Sequence, residues 1–122
     1  MVNQKFPPLS DELTIYRAIV RETGWVDPYT KKIEAKAFKL RLKREPKPEE
    51  TISAAFSPVE ACNAYKGKTF GVIAIQVKDI RALGLDAVQT SINHIAIEKI
   101  PLNEKDATNF AILLAEKARL LD

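Results

Sequence analysis

Apolar residues along this chain of 122 residues recur with two periods, and the periods mark out its elements. In "NEKDATNFAILLAEKARLLD", Ala107, Phe110, Ala111, Leu114, Ala118 and Leu121 follow one another at steps of three and four. That spacing predicts one amphipathic helix. Asn103 is placed to cap it, and Asp106 follows three residues on in a capping-box-like arrangement. Acidic residues fill its first turn, and Lys117 and Arg119 lie near its end, as the helix dipole favours. "SPVEACNAYKG" predicts a second helix, with Ser57 as cap, Pro58 in the first position, Glu60 completing a capping box and Gly67 closing the end.

The period of two belongs to strands. "KAFKLRLK" alternates cleanly, with Phe38, Leu40 and Leu42 on one face and Lys39, Arg41 and Lys43 on the other. "TFGVIAIQV" is almost continuously apolar and β-branched, the pattern of a central strand covered on both faces. "KDIRALG" then predicts a single helical turn from a cap at Asp79 to Gly84, and "LDAVQT" and "INHIAIEKI" predict two more strands. "TISAAF" predicts a short strand after the Pro-rich loop "REPKPEE". "LSDELTIYRAIV" carries both helical spacing and strand-prone residues, and we read Leu13 to Val20 as a strand. The connection from Val77 to Leu85 is shorter than the ~10–12 residues of a parallel crossover, so a doubly wound sheet is not expected. The expectation is one α+β domain over 1–122, with residues 1–10 as a loose N-terminal segment. Its mixed or mainly antiparallel sheet has five or six strands, packed by a long C-terminal helix and one or two short helices.

Composition narrows the chemistry. Hydrophobic residues make up 46% and charged residues 29%, the balance of a folded globular chain. No apolar run approaches the ~18–20 residues of a membrane span, and "MVNQKFPPLS" lacks a secretory apolar core, so a cytoplasmic location is expected. Cys62 and His94 are the only residues of their types, which excludes an intrachain disulfide and a zinc site built from Cys and His. Neither metal nor cofactor is expected. Cys62, inside its helix and away from the N-terminal turn, reads as a buried and inert thiol.

Charge is unevenly placed although the net value is only +3. "KKIEAKAFKLRLKREPK" holds eight Lys or Arg against two Glu. That excess either forms a patch for an anionic partner, through Lys39, Arg41 and Lys43, or keeps a strand edge solvated.

Two residues stand out for chemistry. On a strand through Leu13, Ile15, Arg17 and Ile19, a guanidinium shares an otherwise aliphatic face. It then needs a carboxylate, backbone carbonyls or a bound anion. His94 shares a strand face with Ile92, Ala96, Glu98 and Ile100, while Ile95 and Ile97 point the other way. Glu98 lies about 13 Å along the strand, so any partner of the imidazole must come from a neighbouring strand. Ser53, Ser57 and Ser91 have no base near them in sequence. Glu49 and Glu50 sit solvated in a loop, and Trp25 reads as an anchor near a turn at Asp27-Pro28. The glycines at 24, 67, 71 and 84 form neither a phosphate loop nor a dinucleotide fingerprint.

The ordered set "IYRAI", "W", "AF", "IS", "GVIAIQVKDIRALGLDAV" and "NHIAI" resembles a family of small bacterial hypothetical proteins, cyanobacterial in character, over about residues 13–100. No known activity attaches to that family, so the resemblance carries over no functional residue. A strand-borne Arg near the N-terminus is also similar to ADP-ribosyltransferase-like folds, where such a residue contacts NAD. The downstream catalytic Glu of those folds has no counterpart here.

Three functions stay open at this point. The first is a non-catalytic binding or interaction module, for a protein partner or a second copy of the chain. The second is a small transferase or hydrolase acting on an anionic, nucleotide-like substrate, with Arg17 holding the anion and His94 as acid or base. The third is RNA binding through a basic strand at 36–44, with Lys39, Arg41 and Lys43 as contacts.

Overall fold

A computed structural model describes residues 6–20, 24–66 and 68–121. Along these the strands are β1 (Thr14–Ala18), β2 (Ile52–Ala54), β3 (Val72–Gln76), β4 (Asp86–Ser91), β5 (His94–Glu98) and β6 (Arg119–Leu120). The α-helices are α1 (Pro58–Asn63), α2 (Val77–Ala82) and α3 (Glu104–Lys117), and Ala35–Phe38 forms a 3₁₀ helix. The architecture is α+β, with every strand pair antiparallel. One sheet has the order β1-β3-β6 and the other β2-β5-β4.

The apolar pattern explains the placement of β3. Val72, Ile73, Ala74 and Ile75 are all buried, so both of its faces are covered, and β1 and β6 satisfy its two edges. The chain then enters α2 without a gap. Gln76 caps α2, not Asp79 as expected, and its side chain makes no capping bond. None is needed, because the N–H groups of Val77 and Lys78 donate to the carbonyls of Leu13 and Asp11 ahead of β1. Gly84, at φ +85°, turns the chain from α2 into β4.

The two sheets meet at a narrow joint. Tyr16 N donates to Ala55 O at 2.9 Å and Ala55 N to Tyr16 O at 2.8 Å, linking β1 to the end of β2. Ile15, Ile73, Ile95, Ile97, Phe38, Leu40 and Leu114 belong to one continuous core that runs across both sheets.

Helix α3 is capped as the sequence predicts. Asp106 N donates to Asn103 Oδ1, and Asn103 Nδ2 donates back to Asp106 Oδ2, each at 2.9 Å. Ala107, Ala111, Leu114 and Ala115 form its buried stripe. The helix stops earlier than expected, however. Arg119 and Leu120 leave it to pair with Ala74 and Ile73 as β6, because the open edge of β3 offers ladder bonds that another helical turn would forgo.

The second departure is the expected basic strand at 36–44, which does not form. Phe38 and Leu40 are buried as the alternation requires, but Ala37, directly before Phe38, is buried as well. The backbone groups that a ladder would use are also taken. Arg17 donates to the Ala37 carbonyl, Lys39 N donates to Lys36 O, and Arg41 N donates to the Glu49 carboxylate. The segment instead lies as a 3₁₀ turn and extended loop over the core, with Ala37 and Phe38 inward. In the hairpin of β4 and β5, Ile92 occupies the turn at 76% exposure, and not a strand face. Ser57 caps α1 by accepting from Glu60 N at 3.1 Å, with Pro58 at the first position. Gly67, the expected terminator, lies outside the described residues.

Candidate functional site

A small, open cleft of about 50 Å³ lies at the joint of the two sheets, lined by Tyr16, Arg17, Ser53, Glu60, Tyr65 and His94 among others. Arg17 and His94, the two residues singled out for chemistry, both line it.

Arg17 reaches it from β1. Ile15 on the same face of the strand is fully buried, so the guanidinium is carried to the edge of the core. There Nε donates to Ala37 O at 2.7 Å and Nη1 to Ser53 O at 2.8 Å, and the group lies 4.9 Å from the centre of the Trp25 ring. Trp25 is itself buried, as an anchor would be, and Asp27 organises the following turn by accepting from Tyr29 N and Thr30 N. No carboxylate lies within ion-pair distance of Arg17 among the described residues. Burial lowers its pKa below the ordinary value, which the Tyr65 hydroxyl and the Glu49 carboxylate partly offset, while Arg41 adds to the lowering. A guanidinium starts so high that it keeps its charge. Arg17 is thus a half-buried cation held by backbone oxygens.

His94 reaches the cleft from β5. Ser53 on β2 stands opposite Ala96, two residues beyond His94, so Ser53, Ala96 and His94 share one face of the sheet. His94 Nε2 and Ser53 Oγ are 3.0 Å apart across that diagonal. The register of β4 against β5 shifts between Gln89 and Ser91, and this irregularity frees Thr90 from a paired position. Its Oγ1 is hydrogen-bonded to His94 Nδ1 and also lies 3.4 Å from the His94 carbonyl oxygen. The imidazole therefore draws its two partners from the two neighbouring strands.

Other polar groups near the cleft have structural work. Glu60 lies over the start of α1 and accepts from Ser57 Oγ through Oε1 at 3.4 Å, in place of the backbone N–H contact of a full capping box. Glu49 holds Arg41 at 3.0 Å. Burial raises the Glu49 carboxyl, but hydrogen bonds from Arg41 and the charges of Arg41 and Arg17 outweigh it, and the net pKa is low.

The basic cluster is less free than its composition suggests. Lys39 pairs with Glu104 at 2.7 Å and Arg41 with Glu49, which leaves Lys43 as the member of the trio with no carboxylate partner among the described residues. Cys62 is half-buried, not fully enclosed as expected, and accepts from the Thr69 hydroxyl at 3.5 Å. No group of three His, Cys, Asp or Glu side chains suited to a metal occurs among the described residues. No helix there is long and apolar enough to cross a membrane.

Sequence reasoning set Ser53 aside because no base stood near it, and it passed over Thr90. The missing signal was register: once β2 is laid against β5, Ser53 falls opposite Ala96 and within reach of His94. No family model, no curated protein and no solved structure matches the chain.

Proposed function

We propose that the chain is a binding module for a small anion, with a carboxylate or phosphate group of the ligand held at Arg17 in the cleft between the sheets. The observation that supports this most is the state of that guanidinium. It is half-buried, spends Nε and Nη1 on backbone carbonyls, and has no ion-pair partner among the described residues. A cation so placed gains from an anion that reaches its remaining N–H groups, because charge-assisted bonds strengthen where water is scarce. Trp25 beneath the guanidinium and the two carbonyls fix its orientation beforehand, which lowers the entropy cost of binding. Ser53, Tyr65 and His94 line the same cleft and supply polar neighbours for the rest of the ligand.

The test is a titration of the protein with inorganic phosphate and with succinate, followed by the NMR signal of the Arg17 Nε–H. The expected result is saturable movement of that signal for at least one anion, weakened by added sodium chloride. If neither anion moves it, the reading fails.

A further inference from the structure

We infer that Ser53 is a nucleophile activated by His94, and that the cleft transfers the acyl group of an ester whose acyl portion carries a negative charge. The choice of a charged substrate rests on the anion reading; the nucleophile itself rests on separate observations.

Three strands contribute one group each to a chain of hydrogen bonds: Ser53 Oγ on β2, the His94 imidazole on β5 and Thr90 Oγ1 on β4. Activation of Ser53 uses the tautomer that carries its proton on Nδ1: Thr90 Oγ1 then accepts from Nδ1–H, and the lone pair of Nε2 faces the Ser53 hydroxyl 3.0 Å away. A hydroxyl beside a base, with the base oriented by a third group, is the arrangement that activates a serine. Thr90 in this chain is a positioning residue.

The arrangement is also open to a substrate. Ser53 is exposed at the cleft, not sealed in the core. Arg17 is tied to the same residue, since its Nη1 donates to the carbonyl of Ser53, so the cation and the nucleophile are fixed relative to each other. Asn93 and Tyr65 line the cleft and carry donor groups of the kind that a developing oxyanion requires.

The step balances with water as the only co-reactant. Ser53 Oγ attacks the ester carbonyl carbon while its proton passes to His94 Nε2. The tetrahedral species collapses, the bond to the alkoxy oxygen breaks, and the leaving group takes the proton from Nε2. Water then attacks the acyl-Ser53 carbonyl and gives its proton to Nε2. As the bond to Ser53 Oγ breaks, that proton returns to Oγ. The products are one carboxylic acid and one alcohol.

The experiment treats the full chain with a fluorophosphonate probe, located by peptide mass spectrometry, and with mono-4-nitrophenyl succinate beside 4-nitrophenyl acetate. Expected are labelling at Ser53, loss of both reactions in Ser53→Ala, and a rate at least about 100-fold lower in His94→Gln. Thr90→Val slows the reaction and Thr90→Ser restores it, which loss of a merely structural contact would not produce while the fold persists by circular dichroism. The succinate ester reacts faster than the acetate. An unlabelled Ser53, or labelling as fast in His94→Gln as in the wild type, overturns the nucleophile even where phosphate still moves the Arg17 signal. Labelled Ser53 with no preference for the charged ester overturns the charged substrate and leaves the nucleophile standing.

Discussion

Arg17 shows how one side chain can serve fold and site together. Its two hydrogen bonds bind the loop carbonyl of Ala37 and the strand carbonyl of Ser53, and removing the guanidinium takes the donor from both acceptors. Arg17→Met is expected to cost about 1–3 kcal/mol, chiefly from the part-buried Ala37 carbonyl left without a partner, since the Ser53 carbonyl lies open to water. Urea denaturation measures it, and a loss under ~0.5 kcal/mol would mean that the Ala37 carbonyl finds water as well. Asp86 presents a different case, tied to pH. Burial raises its carboxyl, but hydrogen bonds from Arg81 and Ala87 N–H and the charges of Arg81 and Lys99 lower it further, so the folded pKa lies below the ordinary one. A depressed carboxylate contributes stability above its unfolded value, near pH 4, and loses it as pH falls through the folded value. Asp86→Asn is therefore expected to flatten the acid limb of the stability curve below about pH 4, as read from urea midpoints at several pH values.

At the scale of elements, two glycines with positive φ separate backbone strain from crowding. Gly84, at φ +85°, has open space where a Cβ would stand; Gly71, at φ +134°, would set a Cβ 3.2 Å from Ile19 Cδ1. Gly84→Ala is expected to cost about 1 kcal/mol, the steric penalty of the left-handed backbone alone, and Gly71→Ala distinctly more. Thermal unfolding of the pair decides it, and equal losses would show that Ile19 moves aside. The same scale shows what the sequence could reveal. Strands such as β3 and β5 and the caps of α1 and α3 were legible because burial, β-branching and capping chemistry are local signals. The segment at 36–44 was not, because a period of two records which side chains are buried and not where the backbone hydrogen bonds go. Arg41 N–H went to Glu49, and no ladder could form. β6 was hidden for the converse reason: Arg119 and Leu120 look helical, and only the unpaired edge of β3 recruits them. Arg17 and His94 were visible as oddities of pattern. Their companions Ser53 and Thr90 depended on register and on a local irregularity, which no local pattern encodes.

Over the whole molecule, a continuous core joins two sheets whose backbones touch at few places. Tyr16 and Ala55 exchange the pair of hydrogen bonds between them, and Arg17 crosses the same line with its side chain. The cleft lies on that line, so anything seated at Arg17 and Ser53 grips both halves at once. The joint then behaves as a seam and its occupant as a staple. If parting the sheets destroys the site, a ligand at 100 times its Kd holds the seam shut by about 2.7 kcal/mol. The amide protons of Tyr16 and Ala55 should then exchange with deuterium about 100-fold more slowly on saturation, while those of α3 change far less. Equal slowing everywhere would mean that the halves never part short of global unfolding. With the slowing confined to the seam, the chain would report its own occupancy through how readily it comes apart.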